Sequence, residues 1–199
     1  MSLVTNFLFI TVFYLIGSIP FALILTKLLG HGDIRDIGSG NVGATNVLRT
    51  GNKILAFIVL CLDITKGLLP FLILKLFYDI NTLHSIFLCH FAILGHIFPF
   101  WLKFKGGKGI ATYIGFLFGI NLFLGLSFIA VWMLIALISR YSSLSSIIAL
   151  LIAPIYFFIY SNNYISVFLL YLFLIIIFKH RENIKRLINR TENKIKLSK

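Results

Sequence analysis

Two short segments of this chain combine glycine with hydroxyl, amide and cationic side chains, a set that suits phosphate binding. The first segment, 38–51, has the sequence GSGNVGATNVLRTG. Glycine lets the backbone approach a ligand closely and turn its N–H groups toward an anion. If a helix begins near Val42, its positive end would face the same site, with Thr45 and Arg49 one turn apart. A flexible glycine turn with a helix cap is the alternative interpretation.

The second segment, 102–109, places three lysines among three glycines in the sequence LKFKGGKG. It lacks the order of a Walker phosphate loop, since Gly109 stands where a Mg²⁺-binding hydroxyl should be, so nucleotide hydrolysis is not expected. Lys108 can nonetheless neutralise a phosphate as a point charge, while Arg49 can bind another in bidentate fashion. Two such segments suggest two phosphorylated reactants, or one reactant and one leaving phosphate.

The residues that usually carry metal or nucleophilic chemistry are poorly placed for it. His84, His90 and His96 recur every six residues and so do not share one helix face, and we expect no metal and no cofactor. There is no GxSxG elbow, and neither Cys61 nor Cys89 has the polar setting that favours a thiolate. We therefore expect no covalent enzyme intermediate.

Two other charged features each have two interpretations. Asp63 and Lys66, three residues apart in an apolar run, either form a structural pair or take part in catalysis. The basic tail 179–199 either sets orientation or contains a helix lying on the membrane surface. The second interpretation depends on an apolar stripe with flanking cations, formed by Ile184, Leu187 and Ile188 with Lys185, Arg186 and Arg190.

The elements that must hold these segments are membrane-spanning helices. Hydrophobic residues make up 59% of the 199 and charged residues only 12%. The mean hydropathy is +1.00, outside the usual range for a soluble domain. Apolar runs that reach or approach the length needed for a span occur at 4–25, 54–77, 83–100, 110–138, 147–160 and 164–178. We therefore expect an all-α integral membrane protein that forms one domain, 1–199.

The number of spans depends on the run 110–138. At 1.5 Å per residue it would be about 43 Å long, too long for one upright span and short for two. Two spans turning near Asn121 put the tail, with its eight Lys and Arg residues, in the cytoplasm, as the positive-inside rule favours. We predict seven transmembrane helices, with the N-terminus outside and the C-terminus cytoplasmic. Every basic residue except Lys75 then lies in or toward the cytoplasm, and the outer connections, at 78–82, Asn121 and 161–163, are minimal.

The polar blocks, taken in order, resemble those of the bacterial acyl-phosphate:glycerol-3-phosphate acyltransferases, which are small membrane enzymes with seven helices. The similarity covers essentially the full length. The segments that carry it are GSIPFALILTK, DIRDIGSGNVGATNVLRTG, DITKG, GHIFPFWLKFKGGKGIAT, SRYSSLSSI and KHRENIKRL. One position departs from the family pattern, which commonly has glycine where this tail has Arg190.

The resemblance implies that a fatty acyl group passes from acyl phosphate to the sn-1 hydroxyl of glycerol 3-phosphate. The products are 1-acyl-sn-glycerol 3-phosphate (lysophosphatidic acid) and phosphate, in the first step of phospholipid synthesis. By similarity, the phosphate of the acyl donor is held by Ser39, Gly40, Asn41, Gly43, Thr45 and Asn46. Glycerol 3-phosphate is surrounded by Arg49, Lys108, His180 and Asn183, which we expect to be catalytic, and by Ser146. We also expect Gly106 and Gly107 to bind substrate.

This reaction suits the residues, because an acyl phosphate is already activated and needs no nucleophile from the enzyme. The cations would lessen repulsion between two phosphates and stabilise the departing one. The proton of the attacking hydroxyl could pass to His180 or to a substrate phosphate, and the sequence does not decide between them. The acyl chain is expected to lie between helices, reached from the inner leaflet.

The expected partners are acyl phosphate, glycerol 3-phosphate and membrane lipids, with no nucleic acid. The resemblance indicates a bacterial plasma membrane with the active site on its cytoplasmic side, and the sequence indicates no oligomeric state. Two other classes stay open. A phosphate or organophosphate transporter would also present cationic glycine loops, and an acyltransferase using acyl-CoA or acyl-carrier protein would differ only in its donor.

Overall fold

The computed structural model describes residues 2–78, 82–160 and 163–195. Every regular element in those ranges is a helix, which confirms the all-α class. Residues 79–81 and 161–162, which belong to two of the predicted outer connections, lie outside the described residues. By its internal contacts the chain divides into two compact units, Met1–Ile120 and Asn121–Lys199.

The first unit contains both glycine segments. Its α-helices are α1 (Leu3–Ser18), α2 (Phe21–Leu28), α3 (Ala44–Val47), α4 (Lys53–Lys75), α5 (Leu83–Cys89), α6 (Phe91–Ile97) and α7 (Ile110–Ile120). Short 3-10 turns cover Ile34–Asp36, Leu48–Thr50 and Phe100–Leu102. The first glycine segment thus lies between α2 and α4, and the second between α6 and α7.

The first predicted span, 4–25, is not one continuous helix. α1 ends at Ser18, Pro20 precedes the first residue of α2, and the two helices are bent by 40°. Proline has no N–H to donate and disfavours a helical conformation in the residue before it, so the apolar run continues while the helix breaks. The break exposes the backbone carbonyl of Ile19 to partners outside its own helix.

Glycine pairs let helix backbones touch in this unit. A Cβ at Gly17 of α1 would lie 2.0 Å from the carbonyl oxygen of Ala92 in α6, and one at Gly95 would lie 2.2 Å from that of Tyr14. α4 and α7 meet in the same reciprocal way through Gly67 and Gly115. Close backbone approach through small residues is how helices associate in lipid, where apolar burial gives no advantage.

The second unit contains α8 (Leu122–Ser139), α9 (Ser142–Ala149), α10 (Ile152–Ile159), α11 (Asn163–Lys179) and α12 (Arg181–Ile188). Asn121 separates α7 from α8, and its side chain caps α8 by accepting a hydrogen bond from the N–H of Phe123. The predicted break of the run 110–138 at Asn121 is therefore confirmed. α12 is bent by 64° from α11, which confirms a helix in the tail.

Among the described residues, four helical segments are long and apolar enough to cross a membrane, or up to six if each bent pair is one span. The four are Lys53–Lys75, Leu83–Leu102, Leu122–Ser139 and Ser142–Ile159. The bent pairs are α1 with α2 and α11 with α12. α7 is apolar but has only 11 residues.

Candidate active site

Asn46 of α3 organises the first glycine segment. Its Oδ1 accepts hydrogen bonds from the backbone N–H of Ser39 at 3.0 Å and from the Ser39 hydroxyl at 3.3 Å. Its Nδ2 donates to the carbonyls of Ile34 and Ile37, both at 2.9 Å. The side chain is buried, and both ends of its amide are used within the segment. Asn46 therefore shapes the loop, and its contact with phosphate stays a prediction.

Arg49 lies beside the glycines that open the same segment. A Cβ on Gly38 would come within 2.6 Å of the Arg49 Cδ and 2.9 Å of its Nη1. Gly38 and Gly40 adopt left-handed φ values of 58° and 68°, which favour glycine. Ser39, Gly40, Thr45 and Arg49 are exposed, while Asn41 and Gly43 are half-buried. The structure thus brings the guanidinium to an open, polar stretch of backbone.

The helix expected near Val42 is shorter than the sequence suggested. It begins at Ala44, lasts to Val47 and passes into the 3-10 turn Leu48–Thr50. The turn ends at Gly51, whose φ of 87° is left-handed. Too few peptide dipoles align in one turn to give the strong positive end of a longer helix. Any anion here would depend on Arg49 and hydroxyl groups more than on a helix dipole.

The two cations that precede this segment, Lys27 and Arg35, both pair with Asp33. Arg35 donates to its carboxylate from Nε at 2.9 Å and Nη2 at 2.6 Å, and the Nζ of Lys27 is 3.1 Å from Oδ2. Hydrogen bonds from Arg35 hold the pKa of the Asp33 carboxyl well below its usual range. Within the described residues, Arg49 has no acidic partner of this kind. Its charge is therefore not cancelled locally.

The second glycine segment is fastened to the end of α6. The N–H groups of Gly106 and Gly107 donate to the carbonyls of Ile97 at 3.2 Å and His96 at 3.1 Å. These two donors are engaged within the protein and do not provide the N–H cradle that we predicted for them. Lys108 follows, half-buried, before α7 begins. Phosphate binding at this segment would therefore depend on the lysine side chain, and substrate contact with Gly106 and Gly107 stays a prediction.

His180 joins α11 to α12 in the second unit. It is 2% exposed, and its Nδ1 lies 2.8 Å from the carbonyl oxygen of Ile176. Because a carbonyl only accepts, Nδ1 carries the hydrogen, and Nε2 is the basic nitrogen of the neutral ring. That tautomer is compatible with a general base acting through Nε2.

Asn183 of α12 belongs to a hydrogen-bonded cluster around Glu192. The Glu192 Oε1 accepts from Asn183 Nδ2 at 2.6 Å and from the Ser143 hydroxyl at 2.7 Å. Arg186 Nε donates to Oε2 at 2.7 Å. Burial opposes ionisation of Glu192, but these three hydrogen bonds outweigh it and hold the pKa of the carboxyl below its usual value. The ionised carboxylate fixes the orientation of the Asn183 amide.

Sequence reasoning did not identify Glu192 or Ser143. A signal was present, because the chain has only six acidic residues against 18 basic ones. An acid in a basic tail is therefore unusual, yet its partners are distant in sequence.

Ser146, which was predicted, is buried and accepts a hydrogen bond from Trp132 Nε1 at 3.0 Å while donating one to the Ser142 carbonyl at 2.9 Å. Its contact with glycerol 3-phosphate stays a prediction.

The family model of glycerol-3-phosphate acyltransferase matches residues 7–190. The chain belongs to this family. The glycerol-3-phosphate acyltransferase of Pelagibacter ubique (strain HTCC1062) is 56% identical over 185 residues, which are 92% of this chain and 94% of that protein. The resemblance stated from the motifs is therefore confirmed at the level of the family.

Solved structures of the glycerol-3-phosphate acyltransferase family have the same fold. The crystal structure of PlsY (YgiH), an integral membrane glycerol 3-phosphate acyltransferase, in its glycerol 3-phosphate form is 36% identical with a TM-score of 0.88. Its lysophosphatidic acid form is 35% identical with a TM-score of 0.85. Each match covers 96% of both chains. The chain is thus an integral membrane protein of this family.

Proposed function

We propose that this chain transfers a fatty acyl group from acyl phosphate to the sn-1 hydroxyl of glycerol 3-phosphate. The products are 1-acyl-sn-glycerol 3-phosphate and inorganic phosphate, and the reaction opens phospholipid synthesis. Membership of the glycerol-3-phosphate acyltransferase family supports the acceptor and the reaction class. PlsY, its structural relative, has been crystallised in a glycerol 3-phosphate form and a lysophosphatidic acid form.

The observation that carries the proposal is the exposed Arg49 guanidinium beside the open backbone of Gly38, Ser39 and Gly40. A guanidinium binds phosphate oxygens in bidentate fashion. Lys27 and Arg35, which precede the first glycine segment, are paired with Asp33. Arg49 lies within the segment and has no such acidic partner among the described residues, so its charge is available for a substrate phosphate.

In the proposed reaction, the sn-1 hydroxyl oxygen attacks the carbonyl carbon of the acyl phosphate. A new C–O ester bond forms, the bond between the carbonyl carbon and the bridging phosphate oxygen breaks, and phosphate leaves with that electron pair. The hydroxyl proton passes either to Nε2 of His180 or to a phosphate oxygen. Positively charged groups stabilise the charge that grows on the leaving phosphate, so no enzyme nucleophile is required.

We assign the roles as the family resemblance implies them. Arg49, Lys108, His180 and Asn183 act in catalysis. The donor phosphate and the glycerol 3-phosphate are bound by Ser39, Gly40, Asn41, Gly43, Thr45, Asn46, Gly106, Gly107 and Ser146. The whole chain, 1–199, acts as one acyltransferase domain, with its site on the cytoplasmic side of a bacterial plasma membrane.

Seven spans are obtained if each bent pair is one span and α7 is a seventh. α7 is only about 16 Å long at 1.5 Å per residue, roughly half of the hydrocarbon thickness. Most of its residues are buried, including Tyr113, Phe116 and Leu117, so it needs little lipid-facing length of its own. This arrangement puts the N-terminus outside and the tail inside.

The decisive assay uses the purified protein in detergent with glycerol 3-phosphate and either palmitoyl phosphate or palmitoyl-CoA. We expect lysophosphatidic acid and phosphate from the acyl phosphate alone. Turnover with palmitoyl-CoA alone would overturn the donor assignment. Uptake of glycerol 3-phosphate into proteoliposomes, without ester formation, would support the transporter class instead.

The site is tested with Arg49→Ala and Lys108→Ala, each of which should abolish measurable turnover while the protein stays membrane-inserted. Lys53→Ala is the control for Arg49→Ala, and Lys105→Ala is the control for Lys108→Ala. Lys53 lies just after the first glycine segment and Lys105 lies within the second, and both residues are exposed. Near-normal rates in both active-site variants would refute the assignment.

The topology is tested with single cysteines in a Cys61→Ser, Cys89→Ala background. A membrane-impermeant thiol reagent should label Lys185→Cys from the cytoplasmic side only and Ser2→Cys from the outside only. Labelling of both positions from one side would refute an odd number of spans.

A further inference from the structure

α4 carries an ion pair that is almost completely buried. The Lys66 Nζ lies 2.7 Å from the Asp63 Oδ1, and the two side chains are 3% and 2% exposed. Charged groups inside a membrane protein are costly and usually serve a function. The acyl transfer as proposed above gives neither residue a role.

Lys66 also ties α4 to the break in the first span. Its Nζ donates to the carbonyl of Ile19 at 2.8 Å, which also accepts from the Phe21 N–H at 3.1 Å. Ile19 lies outside the helix because a following proline disfavours the helical conformation. A single ammonium group thus links the carboxylate of its own helix to the bend between α1 and α2.

The same carboxylate oxygen of Asp63 also faces His96 of α6. The His96 Nδ1 lies 3.8 Å from the Asp63 Oδ1. The other edge of the ring lies under the second glycine segment, because a Cβ on Gly107 would be 2.1 Å from Nε2. The Gly107 N–H also donates to the His96 carbonyl. The contacts therefore run from Ile19 through Lys66, Asp63 and His96 to Gly107, and the 3.8 Å between Asp63 and His96 is the longest polar step.

Both glycine segments border the same small void. Lys66 and His96 line it together with Ser18 and Pro20 from the first-span break, Val42 from the first segment and Leu102 from the start of the second. Its volume is about 10 Å³, room for about one water molecule. Lys66 and His96 therefore lie close to residues of both segments.

We propose that Asp63, Lys66 and His96 are positioning residues for acyl transfer, which hold Gly107 and thereby set where the next residue, Lys108, presents its ammonium. The inference rests on the proposed function of Lys108. The rate of acyl transfer should be sensitive to this positioning, because a displacement of about 1 Å at a reacting group can reduce turnover about 100-fold. A purely structural ion pair predicts something different, since replacing both partners by apolar residues of similar size is often neutral or stabilising.

That difference defines the test. The double variant Asp63→Leu, Lys66→Met removes both charges and leaves no unpaired one, so the protein should keep its wild-type melting temperature in detergent. We expect kcat to fall about 100-fold, by more than any rise in KM for either substrate. Cys61→Ala, on the same helix, is the matched control and should keep full turnover. A double variant with wild-type melting temperature and wild-type kcat would overturn the proposal.

A second pair keeps the proposal testable if the double variant does not fold. Asparagine and leucine have the same number of side-chain heavy atoms with the same branching, but only His96→Asn keeps a polar group toward Asp63. We expect His96→Asn to keep a kcat about tenfold above that of His96→Leu at equal melting temperature, and equal kcat values would contradict the network. Failure of the wild type with acyl phosphate would refute the proposed function, whereas an active wild type with unaffected variants would refute only this inference.

Discussion

The first glycine segment is held in shape by a side chain of its own, Asn46, whereas the second is held by carbonyls of the helix that precedes it. In the first, one amide joins Ser39 to the carbonyls of Ile34 and Ile37. In the second, Gly106 and Gly107 donate directly to the end of α6. Similar composition therefore gives one loop that is braced internally and one that depends on a neighbouring helix.

The difference indicates where each loop is vulnerable. The internally braced segment should respond to changes within itself and leave the rest of the unit intact. The second segment, which is hydrogen-bonded to α6, should be disturbed by any substitution that moves His96 or fills the space beside it, including substitutions on α4.

Gly107→Ala should have the largest effect. Its Cβ would lie 2.1 Å from His96 Nε2, and the ring is buried, so the segment itself must move. We expect turnover to fall about 100-fold or more. Gly32→Ala is the control, because that position has a left-handed φ of 75° but nothing within 4 Å of an added Cβ. Comparable turnover in both variants would show that the second segment does not depend on α6.

Asn46→Ala should loosen the first segment alone. It removes the partner of the Ser39 N–H and of two carbonyls, and each polar group left unsatisfied costs about 1–3 kcal/mol. Because the segment is partly open to water, we expect a net loss of about 2–4 kcal/mol in the free energy of unfolding. Amide hydrogen exchange should accelerate at Ser39 and stay slow at Gly106 and Gly107. Faster exchange at all three positions would remove the distinction between the loops.

Arg49→Lys should have a moderate effect on activity and little on stability. Lysine keeps the charge but loses the planar fork that binds a phosphate through two parallel hydrogen bonds. We expect kcat/KM to fall about tenfold, equivalent to about 1.4 kcal/mol of transition-state stabilisation. The melting temperature should not change, because Arg49 is exposed and does not brace the segment. A large drop in melting temperature would contradict the assignment of bracing to Asn46.

Asp33→Asn should have the smallest effect, visible near neutral pH and lost in acid. The pKa of Asp33 is lowered in the folded protein by hydrogen bonds from Arg35, so its ionised form contributes stability above its ordinary value of about 3.8. That contribution is lost as the pH falls below this value toward the lowered pKa. We expect the wild type to melt slightly above the variant at pH 6 and the difference to shrink below pH 4 or so. A difference independent of pH would show that the Asp33 charge does not support the first segment.

Much of this architecture could be predicted from the sequence, for physical reasons that differ by residue. The break at Asn121 follows from length together with charge, since the apolar run fits neither one span nor two comfortably and only two spans put the basic tail inside. The pairing of Asp63 with Lys66 follows from helical spacing and the cost of an isolated charge in lipid. The break at Pro20 was missed, although proline gives the signal, because the apolar run continues through it.

The features that could not be predicted depend on where a polar group points, which the composition of a segment does not specify. Glycine content indicates that an N–H group can turn toward an anion, but not whether it turns there or toward a helix carbonyl, as at Gly106 and Gly107. Likewise, an asparagine in a polar loop can bind a ligand or brace the backbone, and the contacts of Asn46 are fixed only by the fold. Glu192 meets Ser143 across 49 residues, a separation that no local pattern encodes.

The glycine contact between α1 and α6 has a consequence for how the protein is made. Gly95 emerges from the ribosome roughly 80 residues after Gly17, which at about 5–20 residues per second is about 4–16 s later. During that interval α1 must remain in the bilayer without the helix that its glycine fits. Its sequence is compatible with that interval, because LVTNFLFITVFYLIGS is predominantly apolar and contains no charge. Lipid therefore acts as the first partner of this helix, and α6 later replaces it on one face.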